Sequence, residues 1–181
     1  MQELYRNIIQ RLDEARPQFL ERGLPPVETV DLYDGQPEDP EAYEFTCPAL
    51  FLDYKIDWER GASGVKRGTV AVGLHILLNP MPGTENWSDL LPAGLQKMEY
   101  YDLVAQILEG VDSARVGELY ITGEEPRQTD YFCYHLFHMN APIIHRRNTL
   151  QPAPLPVVPE IAPIVATPKP RRYPIPANRT K

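Results

Sequence analysis

The chain is poor in cysteine and in long apolar runs, and each shortage removes a class of protein. Cys47 and Cys133 are its two cysteines, too few for a disulfide framework or for a cysteine-built zinc site. In a reducing compartment both read as small core residues. No run approaches the roughly 20 apolar residues that a membrane-spanning helix needs. Met1 to Arg16 mixes Glu3, Arg6, Arg11, Asp13 and Glu14 with its apolar positions, which is unlike a basic stretch followed by an apolar one. The expected setting is therefore the cytoplasm, where Asn86-Trp87-Ser88 and Asn178-Arg179-Thr180 mean nothing for glycosylation. Catalytic signatures are missing too. Gly61, Gly64 and Gly68 are followed by no Gly-Lys-Ser/Thr and lie between two strand patterns, so they read as a hairpin loop and not as a phosphate cradle. No Gly-x-Ser-x-Gly elbow and no paired Cys–His signature marks a nucleophile.

What is present is charge, unevenly divided. The net charge of −7 combines a body, residues 1–145, holding 11 Lys+Arg against 24 Asp+Glu (−13), with residues 146–181, holding 7 Lys+Arg and one acid, Glu160 (+6). An acidic body repels nucleic-acid phosphates, which argues against sequence-reading DNA binding through it. Ten of the 20 prolines fall between Pro142 and Pro176. A chain so short of backbone donors and of a periodic apolar face predicts an extended, polyproline-like tail from His145 onward.

The body has clear periodicities. Leu4, Ile8, Leu12, Ala15 and Phe19 recur every three to four residues, predicting a helix over 1–23 that Pro17 breaks or bends and Gly23 ends. A short strand is expected over 27–33, with Val30 and Leu32 on one face. An acidic loop, 36–46, leads to the stretch around which the rest is organised. Leu50, Leu52, Tyr54, Ile56 and Trp58 alternate with Asp53, Lys55 and Asp57, and Val70, Val72, Leu74, Ile76 and Leu78 alternate with Thr69, Gly73 and His75. These are two strands of period two, joined by a glycine-rich loop over 59–68. A second helix is expected over 94–110, with Met98, Tyr101, Val104, Leu108 and Val111 on one face. Strands follow over 118–122 and 131–139, joined by a loop containing Pro126. The last strand is apolar on both faces, as a strand buried from two sides would be; the second cover is expected to be a partner subunit. The fold class is thus α+β: a mainly antiparallel sheet with a long central hairpin and two helices packed on it, followed by the proline-rich tail.

Candidate chemistry meets plainer alternatives. His135 and His138 are three apart, but on a strand they point to opposite faces and cannot share an ion; His75 can join only one of them. All are read as structural or interface histidines, and no metal, cofactor or catalytic residue is expected. The carboxylates Glu38, Asp39, Glu41 and Glu44, and the pair Glu124-Glu125, fall in loops, where solvation is the default. Pro168 to Pro174 resembles a basic proline-rich peptide that an aromatic groove would hold, against the plainer and favoured reading of a solvated leash or a terminus that orders only in an assembly.

The order helix, short strand, long hairpin, helix, two strands, with Pro48-Ala49-Leu50-Phe51-Leu52-Asp53-Tyr54 entering the hairpin, Gly68 to Leu78 returning, and Tyr101-Asp102-Leu103-Val104 to Leu108-Glu109-Gly110 as a helix ending at glycine, resembles the tail-terminator and tail-completion (neck) proteins of long-tailed bacteriophages. The resemblance spans about residues 1–141. The acidic loop 36–46 and the tail after His145 have no counterpart in that pattern. The resemblance implies a non-enzymatic virion protein that assembles in the host cytoplasm as a homo-oligomer, a hexameric ring capping the tail tube. Its partners would be the tube protein and the neck or connector proteins, with genomic DNA sliding through an acidic lumen and no membrane contact. Arg60, Lys66 and Arg67 at the hairpin tip, and Tyr131, Phe132, Tyr134, Leu136 and His138 on the two-faced strand, are then the interface candidates. Two rivals remain: an adaptor body that displays the proline-rich arm to a partner protein, and an enzyme working near His75, His135 and Cys133.

Overall fold

The structure is a computed structural model and describes residues 1–59, 65–81, 84–127 and 129–146, all within one unit, Met1–Arg147. Arg60, the glycines Gly61 and Gly64, and the tail beyond Arg146 lie outside the described residues. The fold is α+β. The apolar stripe of the first segment forms α1 (Gln2–Glu14) and α2 (Arg16–Glu21). The break falls at Ala15 because Pro17, in the first turn of α2, has no N–H to continue the ladder of α1. Leu4, Ile8, Leu12, Ala15 and Phe19 are all buried, and Gly23 adopts a positive φ of 68° just past the second helix, where a side chain would be strained.

Five strands follow: β1 (Thr29–Leu32), β2 (Ala49–Trp58), β3 (Val65–Leu78), β4 (Tyr120–Arg127) and β5 (Cys133–Arg146), with helix α3 (Leu91–Leu108) between β3 and β4. They make one sheet in the order β1-β2-β3-β5-β4. The hairpin is central as expected, with β2 and β3 antiparallel from Ala49 opposite Leu77 to Trp58 opposite Gly68. The sheet is mixed, however: β1 runs parallel to β2, while β3–β5 and β5–β4 are antiparallel.

Four boundaries differ from the sequence reading. β3 starts at Val65, so Lys66 and Arg67 belong to a strand and not to the loop. α3 starts at Leu91, with Pro92 in its first turn, a position where the missing N–H is harmless. It buries Tyr100, Leu103, Val104, Ile107 and Leu108 and leaves Met98 exposed, so its core face is turned from the one anticipated. β4 runs through Pro126, which an edge strand tolerates, and this puts Glu124 and Glu125 in a strand. β5 continues past Met139 to Arg146 and includes Pro142. The carbonyl of Pro142 accepts from Gly117 N at 2.8 Å, so the side of the strand that lacks its N–H faces away from β3 and no rung of the β3–β5 ladder is lost.

The helices cover one face of the sheet. Leu50, Leu52, Val72, Leu74, Ile76, Phe137 and Met139 meet α1, α2 and α3 in one cluster, with the rings of Phe19 and Tyr100 5.3 Å apart at its centre. No helix among the described residues is long and apolar enough to cross a membrane.

Candidate functional site

Parallel neighbours cannot be joined by a tight turn. The chain that leaves β1 at Leu32 has to travel back before it enters β2 at Ala49, and with the helices on one face, residues 33–48 return across the other. They form a strap there, closed by local bonds. Gln36, buried, accepts from Asp34 N at 2.7 Å and donates to Leu32 O at 2.8 Å. The Tyr43 hydroxyl donates to Asp34 O at 2.5 Å, and Thr29 Oγ1 donates to Thr46 O at 2.9 Å while accepting from Thr46 N at 3.1 Å. Phe45 is the apolar anchor, edge-on to Phe51 at 5.2 Å and 5.5 Å from Phe132. Ala49, Phe51, Leu77 and Tyr134 make a second, small core beneath it. The four acids Glu38, Asp39, Glu41 and Glu44 on the strap face water, as the sequence suggested.

Under the edge of the strap lies the one buried histidine among the described residues, His75, only 5% exposed. Alternation along β3 carries it to this face with Gly73 and Leu77. The Tyr33 ring stacks on it with centroids 4.0 Å apart and planes 15° from parallel. Its Nδ1 shares a 2.5 Å hydrogen bond with the Tyr134 hydroxyl. Its Nε2 lies 3.5 Å from Asp53 Oδ2, at the long limit of a hydrogen bond, and has no hydrogen-bond partner among the described residues. Asp53 is held by its other oxygen, which accepts from Gly73 N at 3.0 Å. That approach needs glycine: a Cβ on Gly73 would stand 2.3 Å from Asp53 Oδ1.

Burial dominates the electrostatics. It lowers the His75 pKa below the usual histidine range, against the opposing pull of Asp53 and Glu38. It pushes Tyr33 up to about 12, with the Glu38 carboxylate beside it adding to the rise, and raises Tyr134 as well. At neutral pH the cluster is thus an uncharged ring between two neutral phenols, with Asp53 at its open side. Burial likewise lifts Cys47 to about 11, which leaves its thiol protonated and unreactive.

The anticipated interface residues separate into two groups. Phe132 and Tyr134 sit under the strap, and Leu136 is buried on the same sheet face; the cover expected from a partner is supplied at Tyr134 by the chain itself. Tyr131 is half exposed beside them. His138, also on this face, is exposed and 3.4 Å from Glu125 Oε1. Lys66 and Arg67 are exposed at the far end of β3, eleven and ten residues before Leu77, the partner of Tyr134, and therefore roughly 35 Å away. His135 points to the helix face, stacked on Tyr101 at 4.4 Å and 3.2 Å from Glu124 Oε2. The two histidines do diverge, and no three metal-ligating side chains converge among the described residues.

Of the constellation Tyr33, Asp53 and His75, the sequence reading named His75, as a structural or interface histidine and as a residue of the enzyme alternative, and left out its neighbours Tyr33 and Asp53. The available signal was a histidine on the polar phase of a strand whose neighbours on both phases are apolar near Leu77. Against protein-family models and curated proteins alike, the chain has no match.

Proposed function

We propose that this protein is a structural subunit of a phage tail: a ring that caps the tail tube, ends its polymerisation and joins it to the head-side neck. The observation that carries the reading is a five-stranded sheet whose last strand, β4, has no further strand beside it among the described residues, while the outer edge of β1 is partly closed by Tyr5 and Gln36, on a body of net charge −13. A free edge supplies backbone donors and acceptors for pairing with neighbouring copies, and an acidic lining lets DNA pass without adhering. The element order resembles that of tail-terminator proteins over about residues 1–141. Interface contacts would come from Lys66 and Arg67 at one end of the sheet and from Tyr131 and His138 towards the other. Light scattering over a range of concentrations tests this. A closed ring of about six copies, retained when residues 148–181 are removed, is the expected result; a monomer at every concentration, alone and with tube protein, would overturn it.

The basic, proline-rich composition of residues 146–181 favours a second reading, an adaptor that offers this arm to a partner protein. Removing the arm would then abolish capture of that partner while leaving the body folded.

A further inference from the structure

We propose that His75 is a proton-operated latch for the strap, holding residues 33–48 against the sheet when neutral and releasing them when protonated. The strap's first residue, Tyr33, is tied to β2 by its N–H to Leu52 O at 2.8 Å and has its ring fixed by stacking on His75, and the small core that seats Phe45 includes Tyr134, the hydrogen-bond partner of the histidine. One titratable group thus touches the strap's first residue and, through Tyr134, the small core that seats Phe45.

The groups that face it decide the direction. From β2 comes Asp53, from the strap Tyr33 and Glu38, from β4 Arg127, and from β5 Tyr134. A second proton makes both ring nitrogens donors. Nδ1 then requires the Tyr134 oxygen as an acceptor, and the phenol must turn its own proton elsewhere. Nε2–H would face Asp53 Oδ2, 3.5 Å off at the long limit of a hydrogen bond, on a carboxylate that is about half exposed and whose other oxygen accepts from Gly73 N. A half-exposed carboxylate at that distance is a screened partner. The Tyr33 face attracts an imidazolium only weakly, and Arg127, bonded to Glu125, repels it. Loss of hydration on a ring 5% exposed outweighs these attractions. The charged ring is accommodated by reaching water, which requires Tyr33 to lift.

Amide hydrogen exchange of the full-length protein at pH 7.5, 6.5 and 5.5, corrected for intrinsic rates, reads the latch, with the His75 ring followed by NMR. The open population of residues 33–48 should rise by up to tenfold per pH unit below about 6.5 while the β3–β5 amides stay protected. His75→Gln should abolish the dependence. Asp53→Asn, at a half-exposed position where folding is not at stake, should extend the opening to lower pH, because it removes the charge that partly compensates the imidazolium. Strap protection that is constant or grows on acidification, or an equal response in His75→Gln, would overturn the proposal.

Discussion

Two glycines in β3 show how little room the strand has. A Cβ at Gly68 would lie 2.4 Å from the backbone oxygen of Asp57 and 3.2 Å from Trp58 Cα; the obstacle is the neighbouring strand itself. At Gly73 the obstacle is the Asp53 carboxylate, the end of a rotatable and half-exposed side chain. Gly68→Ala should therefore destabilise by about 3 kcal/mol, since two paired strands must part. Gly73→Ala should lose only about 1 kcal/mol, as Asp53 swings out and gives up one hydrogen bond. Urea denaturation of both variants checks the order, and equal losses would mean that β2 yields as readily as a side chain.

Among the elements, α3 carries an imperfection with a testable sign. Tyr100 is fully buried, and its hydroxyl has no hydrogen-bond partner among the described residues. Tyr100→Phe keeps the ring against Phe19 and removes an unsatisfied polar group, so stability should rise by about 1 kcal/mol; a fall would reveal a bound water at the hydroxyl. The same helix marks where sequence reasoning slipped. Tyr100 and Tyr101 are adjacent, and the helix is apolar on most sides, so periodicity offered two registers and did not separate them. The first helix had one stripe with charged flanks, and there every core position was legible. Alternation likewise placed the faces of β2 and β3, but it carries no information about direction, so the parallel pairing of β1 was invisible. Pro126 and Pro142 masked strand residues because a proline marks a turn only where its missing donor would have been used. The His75 cluster was hidden for a related reason. Asp53 and His75 are brought to one face by the hairpin register, but Tyr33, 20 residues before Asp53, joins them only because the parallel pairing sends the strap across that face.

At the scale of the whole molecule, the described residues divide into a thick helix-covered core and a second core under the strap, and neither contains tryptophan. Trp58 is 42% exposed at the hairpin end of β2, 6.1 Å from the His145 ring, and Trp87 is 92% exposed ahead of α3. The aromatic interior is built from phenylalanine and tyrosine. Indole emission should accordingly be red-shifted in the native state and move little on denaturation, so it is a poor reporter of folding. The near-ultraviolet dichroism of the buried tyrosines is the signal that should collapse at the transition. An emission maximum that is blue in the native protein and shifts on dilution would place an indole at a contact between copies, making tryptophan fluorescence a gauge of assembly and not of folding.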